Sequence, residues 1–140
     1  MEAELYTTRL LAMRGDARGC RAAARTCVAT ALRLGSPAYR EEALLMLAWA
    51  EAVLGDPQAA GRADEAYQRI VDSRILLFLP FFLLLRADAH AVTGRPDVAA
   101  ALVAEAADRS AELGDVCRAP RLVALAEELA APGTGRRQEA

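Results

Sequence analysis

The chain contains no lysine and no asparagine in its 140 residues, so arginine carries all the fixed positive charge. A phosphate loop of the form GxxxxGK[ST] needs a lysine to reach the phosphates, so that motif is excluded, and Schiff-base catalysis with it. The one histidine, His90, cannot build a metal site without several further ligands at workable spacing, and neither the cysteines nor the acids supply them. Cys20, Cys27 and Cys117 are an odd number and form no CxxC pair, which fits a reducing cytoplasm rather than a disulfide framework. Glu2 and Glu4 stand where a secretory leader would be basic. The longest apolar run, Ile75 to Leu85, is interrupted by Pro80 and bounded by Arg74 and Arg86. It is shorter than the roughly 20 residues that span a bilayer, so it predicts a buried helix or an interface and not a membrane segment.

Aromatic residues make up 5% of the chain and β-branched residues are scarce, whereas alanine and leucine dominate. Both are strong helix formers, so the composition predicts an all-α fold. The arginine-only, alanine-rich usage has the character of a GC-rich bacterial genome. Net charge is −2 but unevenly spread: residues 1–40 hold seven arginines against Glu2, Glu4 and Asp16, a balance of +4, and the remainder hold ten against sixteen carboxylates, a balance of −6. A weakly acidic chain without interleaved aromatics is a poor match for nucleic acid, whose binding rests on neutralised phosphates.

A local pattern recurs at Met13-Arg14-Gly15-Asp16, Val53-Leu54-Gly55-Asp56 and Val92-Thr93-Gly94-Arg95, with spacings of 40 and 39 residues. Glycine after a helical run is a stop signal, Asp16 and Asp56 suit the N-cap of the next helix, and Pro57 suits its first turn. A second pair, Leu34-Gly35 and Leu113-Gly114, is separated by about twice that period. The stops predict helices near 2–14, 17–34, 39–54, 57–73, 79–93, 97–113 and 118–131, the fourth with a start that Gly61 could delay to Arg62, and a disordered tail over 132–140. Small residues align across the period: Thr8, Ala48 and Ala87 in one set of helices, Cys20, Ala60 and Ala99 in the other. Paired helices that share a continuous core by stacking would use such ladders.

The stretch from Pro80 to Leu113 resembles the tetratricopeptide repeat, with Leu83, Arg86-Ala87 and His90 at the first-helix signature places and Ala99, Val103, Ala106 and Ala111 at those of the second. The small residues match and the aromatics do not, so the likeness is to the degenerate, roughly 40-residue version found in the helical arms of bacterial LuxR-type activators and cyclase-linked ATPase regulators. The resemblance implies a right-handed α-solenoid of about three and a half antiparallel hairpins over residues 1–131. It implies a non-catalytic, cytoplasmic interaction or regulatory module without a cofactor, which binds a protein or peptide in a concave groove lined by the first helix of each pair. The groove residues would be Leu5, Leu45 and Leu84 at one level and Arg9, Trp49 and Asp88 at the next, with Glu42 and Phe81 at the edge. Trp49, the sole tryptophan, is the expected anchor and is expected to be partly accessible. An alternative is a small-molecule sensor with a pocket lined by Trp49, Phe81, Phe82 and His90. Arg18, Arg21 and Arg25 form a charged face on the second helix, suited to solvent or to an acidic partner such as a second copy of the chain, and Cys20 and Cys27 share one face with Ala24 and Ala31, where thiols pack as small hydrophobes.

Overall fold

A computed structural model describes residues 2–74 and 78–113, together with Ala124, Glu127 and Glu128. It is all-helical over those residues: α1 (Glu2–Met13), α2 (Ala17–Leu34), α3 (Pro37–Val53), α4 (Ala59–Asp72), α5 (Leu79–Val92) and α6 (Pro96–Leu113). The anticipated helix over 118–131 and the tail over 132–140 fall almost wholly outside the described residues. Among the described residues no helix is long and apolar enough to cross a membrane.

Local sequence explains the boundaries. Asp16 caps α2, its carboxylate accepting from the Gly19 amide at 2.9 Å. At the far end Gly35 has φ +65°, a left-handed conformation, and the Ser36 amide returns to the Ala31 carbonyl at 2.9 Å. Gly15, Gly55 and Gly94, the three repeated stops, all take positive φ. Pro37 and Pro96 open their helices, because an N-terminal proline lacks only a donor that would be orphaned there, and so α3 and α6 start slightly earlier than the spacing predicted. The fourth helix starts later, at Ala59: Asp56 does not cap it but folds a turn, accepting from the Gln58 amide at 2.9 Å. Gly61 lies inside α4, and the delay to Arg62 does not occur.

The helices pack in chain order. α3 lies against α2, α4, α1 and α5, and α5 lies against α3, α4 and α6. α1 and α5 therefore both lie against α3, and buried residues cover nearly its whole circumference. The small-residue ladders are where helices approach: Thr8, Ala48 and Ala87 are buried, as are Cys20, Ala60 and Ala99. The apolar segment is core from Leu79 to Leu85, with Phe82 packed edge-on against Phe78 at 6.3 Å and tilted against Phe81 at 5.7 Å between ring centroids. Residues 75–77 lie outside the described residues.

Candidate functional site

Seven of the eight residues expected to line a groove are buried, and Arg9 is half-buried. Leu5, Leu45, Phe81 and Leu84 belong to the hydrophobic core, and Glu42 and Asp88 are buried beside them. Trp49 is 3% exposed, which corrects the expectation of an accessible anchor. The physical reason is a partner: its indole N–H donates to Asp88 Oδ2 at 2.8 Å, so ring and polar tip are satisfied together between α3 and α5.

Several of these residues are nonetheless brought together. Arg9 on α1 reaches Glu42 on α3, with Nη2 and Nε donating to Oε2 at 2.5 and 3.2 Å. The same guanidinium lies 4.3 Å from the centre of the Phe78 ring, ahead of α5. Arg9 is thus tied to Glu42 and Trp49 to Asp88, each across two helices of the interior.

A second polar cluster joins α4 to α5. Asp64 Oδ1 accepts from Arg86 Nε at 2.8 Å, and both Asp64 oxygens face His90 Nε2, at 3.0 and 2.9 Å. Arg86 also stacks over Tyr67, 4.3 Å from its ring centre. The contact with a carboxylate places the ring proton on Nε2; Nδ1 is buried and has no hydrogen-bond partner among the described residues. His90 is therefore a packing histidine. Its acceptor, Asp64, was not among the expected functional residues. The available signal was an acid next to Ala63, on the flank of a helix whose buried face is Ala59, Ala60, Ala63, Ala66, Tyr67 and Ile70.

Glu41, likewise buried, accepts from Arg69 Nε on α4 at 2.7 Å and from Arg40 at 3.2 Å. Arg62 on α4 bridges Glu51 on α3, at 2.6 Å, and Asp56 in the preceding turn, at 2.5 Å, and the bond from Arg62 holds the Asp56 carboxyl below its usual range. The thiols are held in packing: Cys27 Sγ lies 3.3 Å from Thr8 Oγ1, and Cys20 Sγ lies 3.7 Å from the Met46 carbonyl. Burial pushes the Cys20 thiol up to about 12 and also raises that of Cys27. A neutral buried thiol is a poor nucleophile. Cys117 lies outside the described residues. Among the described residues no group of three or more His, Cys, Asp or Glu could hold a metal ion.

Comparison with family models, with curated proteins and with solved structures finds no match to this chain.

Proposed function

We propose that this chain is a non-catalytic interaction module: a tetratricopeptide-like stack of antiparallel hairpins that binds a partner protein as part of a regulatory system in a reducing, cytoplasmic setting. The observation that carries the reading is the use made of buried charge. Among the described residues, Glu41, Glu42, Asp88 and His90 are the buried acids and histidine, and each is tied to a helix other than its own: Glu41 to α4, Glu42 to α1, Asp88 to α3 and His90 to α4. Such groups serve as fasteners between helices and are not gathered around a cleft where a substrate could sit. The packing order supports the stacked arrangement, since each odd-numbered helix lies on the one before it as well as on its even-numbered neighbours.

Partner contacts then belong to outer faces, such as the one on α2 that carries exposed Arg25. A photo-crosslinking residue at position 25, introduced in the cell of origin, should yield a covalent adduct with another protein. Failure to trap any other protein, combined with a rise in melting temperature on adding a low-molecular-mass cell extract, would replace this reading by the sensing one. That alternative has less support, because Trp49, Phe81, Phe82 and His90 are packed into the interior.

A further inference from the structure

The outer face of α1 departs from the pattern of the other helices. Tyr6, Leu10 and Met13 lie one helical turn apart on that face, opposite Leu5, Thr8 and Ala12, which enter the core. They are 61%, 36% and 50% exposed, three of the six large exposed hydrophobic residues described in the molecule. Their equivalents across the 40- and 39-residue spacings are Met46, Ala50 and Val53 on α3 and Leu85, Ala89 and Val92 on α5, and every one of those is buried. On α3 and α5 the apolar residues at these positions are taken into the hydrophobic core.

The same face carries its own complement. Glu2 stands at its start, exposed apart from a bond from Tyr39 Oη at 2.7 Å. Arg14 stands at its end, exposed and without an ion pair among the described residues. A two-fold axis across the middle of α1 places Glu2 opposite Arg14 of a second copy, Ala3 opposite Met13 and Tyr6 opposite Leu10. Both charged ends are then matched and the apolar stripe is covered by itself.

We propose that two copies of this chain pair antiparallel through the outer faces of their α1 helices, sealed by Tyr6, Leu10 and Met13 and registered by Glu2 against Arg14. The pairing is independent of any other protein the module binds. A helix of 12 residues is about 18 Å long, so α1 alone covers less than the ~800 Å² per partner of a standard stable interface. The dimer is therefore concentration-dependent, with dissociation in the micromolar range or weaker.

Sedimentation equilibrium on the full chain over a wide concentration range tests this. Wild type should move from monomer to dimer with rising concentration. Leu10→Asp, at an exposed site, should keep the helical circular dichroism and weaken the dimer at least tenfold. Glu2→Arg and Arg14→Glu should each weaken it, and the double exchange should recover most of the loss, an outcome that a merely hydrophobic patch would not give. A wild type that stays monomeric at several hundred micromolar overturns the proposal. So does a dimer indifferent to Leu10→Asp, or one in which the double exchange behaves as the sum of its singles.

Discussion

Trp49 donates its indole N–H to a carboxylate oxygen of Asp88 at 2.8 Å, a buried bond that fastens α3 to α5. The tryptophan fluorescence should therefore be blue-shifted and resistant to iodide quenching in the native chain. Asp88→Ala leaves a buried N–H without its acceptor and should cost about 1–3 kcal/mol by urea unfolding. Emission near that of free tryptophan with ready quenching would contradict the buried placement.

Arg9 and Glu42 make a second tie, with 17% and 8% of their side chains exposed. Arg9→Met strands a largely buried carboxylate and should destabilise by about 1–3 kcal/mol, less than for a fully buried pair because water still reaches the arginine. Glu42→Gln added to Arg9→Met should cost much less than the sum of the single changes, since the residues share one interaction. Additive effects in a double-mutant cycle would show that they do not act together.

How much of this was legible in the residues differs from level to level. The glycine stops and the alanine ladders located six helices to within a few residues, because those signals are local. Trp49 and Asp88 are 39 residues apart, so the spacing alone put them at the same level of neighbouring helices. It did not say how each helix is rotated, and rotation decides whether such a level faces a groove or a neighbour. The same limit concealed Asp64, whose acceptor role depends on where Arg86 and His90 point from a different helix. Asp56 misled for a local reason: an aspartate before proline supports a turn as readily as a cap.

The Cys20 thiol gives a pH signature. Burial, then the nearby Asp16 carboxylate and Cys27, push it up to about 12 from an ordinary value of 9.0. Between those values the folded chain keeps a proton that the unfolded chain has lost, so this contribution is intact below pH 9 and lost as pH rises towards 12. Stability should fall more steeply above pH 9 in wild type than in Cys20→Ala, as measured by urea unfolding at successive pH values. Burial raises the Tyr67 phenol too, so a residual slope should survive in the variant. Equal slopes in the two proteins would remove Cys20 as a source.

Phe82 is fully buried between Phe78 and Phe81. Phe82→Asp places a carboxylate in the hydrophobic core and should cost more than about 3 kcal/mol, seen as unfolding or aggregation at room temperature. An unchanged melting temperature would mean that this segment packs elsewhere.

The corner at Gly35 has one more consequence. Its φ is +65°, and an added Cβ would meet no atom within 4 Å. The demand there is one of chirality alone: there is room for a methyl group, but an L-residue prefers the opposite backbone twist at a cost of roughly 1–2 kcal/mol. A mirror-image alanine, set at this position by chemical ligation, fits the native twist and restricts the unfolded chain, so it should hold the turn between α2 and α3 more firmly than glycine does.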